Sequence, residues 1–240
     1  MPLLQRHYRV ATHRLRDDAT HLDDLIADLH DKVTYMTEPR GRVTLIGESF
    51  GGALSLSYAL AHPGRVGRLV IINSFPYFAP QARLRVGHLL LSATPWGVMR
   101  VVRELTAWRM HSPHTGREEL RRFHRLMRAT TRQGYLSRLK MLREYDVRDR
   151  LRELSVPVLY LAADSDHLVP SVEQATLMAS LTPGAAMRVL SGHGHICLIA
   201  PDIDLGRILD DWTSGGRVGA RTSLRAPQAS VAPSGSDRCD

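Results

Sequence analysis

LIGESFGG, residues 45–52, joins an apolar run to a serine that lies among glycines. Residues 42–46 predict a buried strand and Phe50–Ala61 predicts a helix, so Ser49 lies at the sharp connection between the two. The glycines on either side of the serine permit a tight turn at this point. Ser49 is therefore either a structural turn serine or a nucleophile held at the carboxyl edge of a sheet.

Strands and helices alternate along most of the remaining chain. Further strands are predicted at 8–11, 68–72, 156–161 and 186–190, and further helices at 21–36, 172–181 and 203–212. The predicted capping pairs of the first two of these helices are Thr20 with Asp23 and Ser171 with Gln174. This alternation predicts an α/β fold, with a mostly parallel sheet that is covered by helices on both faces.

The strand pattern stops between 76 and 154, where helix-like segments occur at 98–110, 118–130 and 135–145. Such a length is unusual for a plain connection, so we expect a helical cap inserted into a core formed by 1–75 and 155–212. Apolar residues of the first cap segment, including Trp96 and Trp108, either face a lipophilic substrate or pack on the domain below. Residues 213–240 lack apolar periodicity and are expected to be disordered.

The composition is that of a soluble globular protein, with 43% hydrophobic and 23% charged residues. The net charge is +8, but the basic cluster at 117–122 contains acidic residues and no aromatic side chains, so nucleic-acid binding is not expected. Contact with anionic lipid headgroups or an acidic carrier protein fits the charge better, beside the simpler interpretation of a solvated face. Cys197 and Cys239 do not suggest a disulfide framework, and no apolar run reaches the roughly 18 residues of a membrane span. We therefore expect a cytoplasmic protein.

Gly47-Glu48-Ser49-Phe50-Gly51 matches the pattern Gly-x-Ser-x-Gly, and with its flanking strand and helix it resembles the α/β-hydrolase superfamily. The resemblance covers residues 8–212 and implies a triad in the chain order serine, acid, histidine. Residues 162–170, AADSDHLVP, are similar to the acid loop of the family. That similarity implies Asp166, four residues before the proline, as the acid, and Asp164 is the alternative.

Residues 190–198, LSGHGHICL, resemble the histidine loop of the same family. The resemblance implies His195 as the catalytic base, with His193 as the alternative. A His-x-His metal site formed by both is a third interpretation, but no convergent set of carboxylates or cysteines is evident in the sequence. We expect neither a metal nor another cofactor.

These roles imply a mechanism through an acyl-enzyme. Ser49 attacks an acyl carbonyl while His195 accepts its proton, Asp166 orients the imidazole, and the Phe50 amide donates to the oxyanion. Water then completes hydrolysis, whereas an alcohol acceptor would make the protein an acyltransferase. Further matches at 47–52, 139–142, 166–175 and 194–205 resemble the esterase and acyltransferase branch typified by plastid phytyl ester synthases. They imply a fatty-acyl ester or thioester as the small-molecule substrate.

One part of the family pattern is not matched. The family normally has a longer segment before the strand expected at 8–11, including a strand and a His-Gly loop that supplies a second oxyanion amide. Loss of one such donor lowers kcat by about 10²–10³-fold. We expect one of three explanations: a start codon assigned too far downstream, which we favour, a partner chain that supplies the strand, or a non-catalytic acyl-binding or interaction module. The oligomeric state is not predicted.

Overall fold

A parallel four-stranded sheet forms the centre of the protein in a computed structural model that describes residues 4–6, 8–78, 97–98, 111–113 and 115–214. The strands pair in chain order and are β1 (Val43–Glu48), β2 (Val66–Ile72), β3 (Val158–Ala163) and β4 (Ala186–Leu190). Each corresponds to a predicted strand with ends that agree within two residues. The α/β class with a parallel sheet is confirmed.

Six α-helices have both ends within the described residues. They are α1 (Leu22–Met36), α2 (Phe50–Ala61), α3 (Arg117–Arg128), α4 (Arg132–Glu144), α5 (Ser171–Leu181) and α6 (Leu205–Ser214). Short 3-10 helices occur at Leu4–Arg6, Pro63–Arg65 and Arg148–Glu153. The last helix extends two residues into the segment that we expected to be disordered, and 215–240 lie outside the described residues.

Helices cover both faces of the sheet. Successive side chains of a strand point to opposite faces. Leu69 and Ile71 of β2 therefore pack with α1, α2 and α5, whereas Val70 and Ile72 pack with α6. All four side chains are buried, and each contributes about 1.5–3 kcal/mol to the free energy of folding. The sheet thus lies between two apolar layers, one on each face.

The prediction of a strand at 8–11 is wrong. These residues adopt no strand conformation, and among the described residues β1 pairs with β2 alone. Val10 packs instead against the apolar cluster around α6, and Tyr8 Oη donates a 3.2 Å hydrogen bond to Asp210. A strand forms only where a neighbouring strand completes its backbone hydrogen bonds, and a short β-leaning pattern does not reveal whether that neighbour exists.

The capping pair predicted for α1 is displaced by one residue. His21, and not Thr20, is the N-cap residue. The carboxylate of Asp24, and not that of Asp23, accepts hydrogen bonds from the backbone amides of Thr20 and His21, both at 3.0 Å. The position of the helix start is therefore set by Asp24, whose carboxylate binds the two backbone amides that have no partner within the helix.

The capping pair predicted for α5 is also wrong. Pro170 is the N-cap residue, and the Gln174 amide donates to the Pro170 carbonyl at 2.9 Å. The Ser171 hydroxyl is not used as a cap because it donates a hydrogen bond to Asp166. A polar residue at a helix start can thus serve a neighbouring loop instead of the helix.

Helices α3 and α4 correspond to two of the three segments of the proposed cap. Asp17 accepts hydrogen bonds from the Thr131 amide and the Arg138 guanidinium, both at 2.7 Å, and Met141 is buried in the core. Residues 99–110, with Trp108, and Trp96 lie outside the described residues. None of the helices in the described ranges combines the length and the hydropathy that crossing a bilayer requires.

The contact between β1 and α2 is too close for side chains at two glycines. A Cβ atom on Gly47 would overlap the Gly51 carbonyl and lie 2.5 Å from Ser55 Oγ. A Cβ atom on Gly52 would lie 2.5 Å from Ser74 Cβ, whereas one on Gly51 would meet no described atom within 4 Å. The close packing behind Ser49 therefore depends on Gly47 and Gly52.

Substitution of these glycines should separate their roles. Gly47→Ala and Gly52→Ala should each lower the free energy of unfolding by about 1–3 kcal/mol because α2 must move away from β1 or Ser74. Gly51→Ala is the matched control and should be neutral or gain up to about 1 kcal/mol, since alanine favours a helix. Urea unfolding would measure all three. Equal stability of Gly47→Ala and Gly51→Ala would show that the close contact at Gly47 does not limit the packing of α2 on β1.

Candidate active site

Ser49 lies directly between β1 and α2 in a strained backbone conformation. Its φ of 57° and ψ of −123° are rare for a residue other than glycine. Two hydrogen bonds hold it there: the Ser49 amide donates to the Ile72 carbonyl at 2.9 Å, and Ser74 Oγ donates to the Ser49 carbonyl at 2.8 Å. The surrounding structure thus maintains a turn that presents this side chain at the carboxyl edge of the sheet.

Three side chains at this edge form a continuous chain of hydrogen bonds. Ser49 Oγ lies 2.7 Å from His195 Nε2, and His195 Nδ1 lies 2.7 Å from Asp166 Oδ2. His195 has 0% exposure, and the Asp166 side chain is 1% exposed. When Nδ1 donates to the carboxylate, Nε2 is left as the acceptor for the serine proton. The arrangement can therefore deliver an activated hydroxyl to an electrophilic carbon.

The Asp166 carboxylate is held by four hydrogen bonds. The amides of Leu168 and Val169 donate to Oδ1 at 2.8 and 3.0 Å, and Ser171 Oγ and His195 Nδ1 share Oδ2. Burial opposes ionisation, but the hydrogen bonds and the charge interaction with His195 outweigh it, so the pKa of Asp166 lies below its ordinary value. Asp166 is therefore a carboxylate at neutral pH.

The alternative acid, Asp164, points elsewhere. Its Oδ1 accepts hydrogen bonds from the Gly192 amide at 2.7 Å and from Ser165 Oγ at 3.1 Å. These contacts shape the start of the loop that carries His195, and they do not involve the imidazole. The geometry brings Asp166, not Asp164, into the chain with Ser49.

The alternative base, His193, also lies in a different environment. Its Nδ1 is 3.0 Å from Ser112 Oγ, and its Nε2 is 3.6 Å from Asp202 Oδ2. His193 and His195 therefore point to different partners and do not form a His-x-His pair on one ligand. Within the ranges that the structure describes, no cluster of three or more His, Cys, Asp or Glu side chains is arranged to hold a metal ion.

The backbone amide of Phe50 is placed to meet negative charge. Phe50 is the first residue of α2, where amides have no partner within the helix, and the helix N-terminus attracts anions. The amides of Gly52 and Ala53, two and three residues further along, are occupied, since they donate to the Ser49 carbonyl at 2.9 and 3.2 Å. Phe50 thus remains the candidate for one oxyanion hydrogen bond.

Two polar side chains beside this site, those of Asn73 and Glu48, were not predicted as site residues from the sequence. Asn73 follows β2 directly, and its Nδ2 donates to the His195 carbonyl at 2.7 Å. Glu48 ends β1, and its Oε1 accepts hydrogen bonds from the amides of Cys197 and Leu198 at 2.8 and 3.1 Å. A signal was available in the sequence, because Glu48 ends β1 and Asn73 directly follows β2 at the edge where Ser49 lies.

Burial raises the pKa values of two further groups at this edge. For Glu48 burial outweighs the two amide donors, so the pKa of its carboxyl lies above the ordinary value. For Cys197 burial and the neighbouring Glu48 carboxyl raise the pKa of the thiol well above its ordinary value. Cys197 is therefore a neutral packing residue and not a competing nucleophile.

Sequence comparisons relate the chain to known proteins. Residues 11–200 match the family described as alpha/beta hydrolase fold. The chain is 32% identical over 190 residues to "Putative carbamate hydrolase RutD" of Yersinia enterocolitica, covering 75% of this chain and 63% of that protein. It is 30% identical over 159 residues to the pimeloyl-[acyl-carrier protein] methyl ester esterase of Vibrio vulnificus, covering 62% of each. The chain thus spans less than two thirds of the length of these relatives.

Solved structures show the same fold. A hydrolase from Pseudomonas aeruginosa superposes with a TM-score of 0.71 at 21% identity, covering 90% of this chain and 83% of that one. An esterase from Exiguobacterium antarcticum superposes with a TM-score of 0.68 at 17% identity, covering 85% of this chain and 76% of that one. At these identities the likeness concerns the fold alone.

The Ser171 hydroxyl should make stability depend on pH through Asp166. Because the pKa of Asp166 is lowered on folding, its carboxylate stabilises the fold above the ordinary aspartate pKa, and this stability is lost as pH falls through the lowered value. Ser171→Ala removes a hydrogen bond to a charged group, worth about 1.5–3 kcal/mol. The free energy of unfolding should therefore fall at neutral pH and change less between neutral and acidic pH. Ser180→Ala, on the same helix, is the control, and identical pH dependence in both variants would contradict the assignment.

Proposed function

The chain belongs to the alpha/beta hydrolase fold family, and on that premise we propose that it is a serine hydrolase that cleaves a carboxylic ester or thioester of a lipophilic acyl group. One observation carries the proposal: the buried chain of 2.7 Å hydrogen bonds from Ser49 through His195 to Asp166. A turn serine without a catalytic role has no need of an imidazole whose second nitrogen is held by a carboxylate.

Acylation would begin with the Ser49 hydroxyl. As Oγ bonds to the acyl carbon, its proton passes to His195 Nε2, and the resulting imidazolium is stabilised by the Asp166 carboxylate. The lowered pKa of Asp166 supports this role, because it keeps the carboxylate ionised at the pH where the imidazole must accept a proton. The carboxylate also holds Nδ1 as the donor, which leaves Nε2 as the base.

The tetrahedral intermediate would carry its negative charge near the start of α2. There the Phe50 amide would donate to the oxyanion. His195 would then return its proton to the leaving alcohol or thiol as the bond to the acyl carbon breaks. Water, deprotonated by His195, would then attack the acyl-Ser49 carbonyl, and His195 would return that proton to Ser49 Oγ as its bond to the acyl carbon breaks and the free acid leaves.

The relatives support an acyl substrate in general terms. Their names specify a carbamate hydrolase and a methyl ester esterase, and both bond types join a carbonyl carbon to a heteroatom leaving group. The lipophilic character of the acyl group rests on the apolar cap segment and on the resemblance to the phytyl ester synthase branch. An acyltransferase would use the same residues and differ only in the acceptor.

Substitutions should distinguish the proposed triad from its alternatives. Ser49→Ala, His195→Ala and Asp166→Asn should each lower kcat/KM for p-nitrophenyl butyrate by at least about 10³-fold, because the three groups act as a unit. Asp164→Asn and His193→Ala should lose far less activity, since their side chains contact other partners. A larger loss in Asp164→Asn than in Asp166→Asn would reverse the assignment of the acid.

A fluorophosphonate probe tests the nucleophile without knowledge of the substrate. The wild-type protein should be labelled at Ser49 and Ser49→Ala should not, while Ser155→Ala, which changes an exposed serine, should be labelled normally. Labelling that persists in Ser49→Ala would exclude Ser49 as the reactive group. Absence of labelling in the folded wild-type protein would instead support an acyl-binding module without catalysis.

Acyl chain length should reveal the lipophilic preference. Along a series of p-nitrophenyl esters from acetate to octanoate, kcat/KM should rise by up to about fourfold per methylene, the equivalent of about 0.8 kcal/mol of burial. Assays with and without an added long-chain alcohol would separate the free acid from a new ester as products. A preference for acetate would contradict a lipophilic site, and a dominant ester product would identify an acyltransferase.

A further inference from the structure

The loop that carries His195 is tied to the ends of three neighbouring strands. We define the histidine loop as residues 191–198. Glu48 at the end of β1, Asn73 directly after β2 and Asp164 directly after β3 each use a side-chain oxygen or nitrogen to bind the backbone of this loop. Asp164 binds the start of the loop, at Gly192, whereas the other two bind at and just after His195.

Asn73 makes the most direct of these contacts. It is the only asparagine in the sequence, and its φ of 46° is a left-handed conformation that asparagine tolerates better than most residues. Its side chain is buried, with Oδ1 accepting from the Ala163 amide at 2.7 Å. Its Nδ2 donates to the carbonyl of His195 itself at 2.7 Å and approaches the Gly194 carbonyl at 3.3 Å. The side-chain amide of Asn73 therefore links the end of β3 to the backbone of His195.

Glu48 binds the part of the histidine loop that follows His195. Its Oε1 accepts from two consecutive amides, those of Cys197 and Leu198, two and three positions after His195. Cys197 Sγ lies 3.4 Å from Asn73 Nδ2, so Asn73 and Glu48 both contact this one buried residue. Because Glu48 immediately precedes Ser49, its tether also joins the histidine loop to the residue beside the nucleophile.

These contacts matter because the imidazole must satisfy two short hydrogen bonds at once. His195 reaches Ser49 Oγ and Asp166 Oδ2 at 2.7 Å each, from a loop and not from a helix or strand. A displacement of about 1 Å in a catalytic group can cost on the order of 10²-fold in rate. The position of the His195 imidazole therefore depends on the position of the His195 backbone.

We propose that Asn73 and Glu48 are positioning residues, which hold the backbone of the histidine loop so that His195 Nε2 stays within hydrogen-bond distance of Ser49. The inference rests on the proposed hydrolase function and adds to it two residues that act through His195 without touching substrate. Neither is part of the Ser49, His195 and Asp166 chain.

Asn73→Asp isolates the donating half of the asparagine. Aspartate keeps the size and the oxygen that accepts from Ala163, but its carboxylate cannot donate to the His195 carbonyl. At about pH 8.5, well above the ordinary aspartate pKa near 4, kcat for p-nitrophenyl butyrate should fall by about 10–100-fold. KM should stay within about threefold, because the loss is in the reacting geometry and not in substrate binding.

Two substitutions of Glu48 provide a matched pair. Glu48→Gln retains an oxygen that can accept from Cys197 and Leu198, so its kcat should stay within about threefold of the wild-type value. Glu48→Ala removes the acceptor, and its kcat should fall by about tenfold or more. This rescue by the conservative variant would not be expected if the carboxylate charge were the important property. Equal activity of the two variants would overturn the role of Glu48.

Controls separate this inference from the proposed function and from simple unfolding. Glu153→Gln, in an exposed ion pair with Arg150, should leave kcat and KM unchanged. Thermal unfolding would establish that each variant is folded at the assay temperature. Failure of the fluorophosphonate probe to label the wild-type protein would overturn the proposed function. Normal labelling of the wild type together with an unchanged kcat in folded Asn73→Asp would overturn the positioning role alone. Should Asn73→Asp not fold, the Glu48 pair decides the question.

Discussion

Parallel pairing of the four strands is the interaction on which the rest of the structure depends, because it brings all their carboxyl ends to one edge. The residues that follow β1, β2, β3 and β4 therefore meet, although they are far apart in the chain. Ser49, Asn73, Asp166 and His195 all enter the site in this way. The covering of both faces by helices leaves this edge as the place where polar side chains can gather without disrupting an apolar layer.

The pKa values of two carboxyl groups near His195, those of Asp166 and Glu48, are shifted in opposite directions by their surroundings. Asp166 has two amides, a hydroxyl and an imidazole around it, and its pKa is lowered despite burial. Glu48 has two amides on one oxygen, which does not compensate for burial, and its pKa is raised. The balance between burial and hydrogen-bond donors thus shifts the two pKa values in opposite directions. This separation suits Asp166 to stabilise an imidazolium and Glu48 to anchor a loop.

The proposed hydrolase activity joins the family relationship to this local chemistry. The fold family and the solved structures establish the scaffold, and the hydrogen-bond chain at Ser49 supports the reaction class. The chain spans less than two thirds of the length of the relatives from Yersinia enterocolitica and Vibrio vulnificus, so their substrates inform this protein only as proposals. Helix α4 of the proposed cap adjoins the core, with Asp17 bound to both the Thr131 amide and Arg138 and with Met141 buried in the core.

The sequence by itself determined the elements with strong local signals: the apolar runs of the four strands, the helices between them, and the glycine-flanked turn at Ser49. The sequence-based prediction failed where a partner decides the outcome. Residues 8–11 have no neighbouring strand among the described residues, and the Ser171 hydroxyl binds Asp166 and not its own helix. Only the tertiary structure joined Asp166 rather than Asp164, and His195 rather than His193, to Ser49. The members of each pair lie two residues apart on one loop, so periodicity and composition do not separate them, and only the resemblance to the family's loops implied Asp166 and His195 in advance. Their direction is set by long-range hydrogen bonds, such as that from Asn73, which exist only after the strand ends have met.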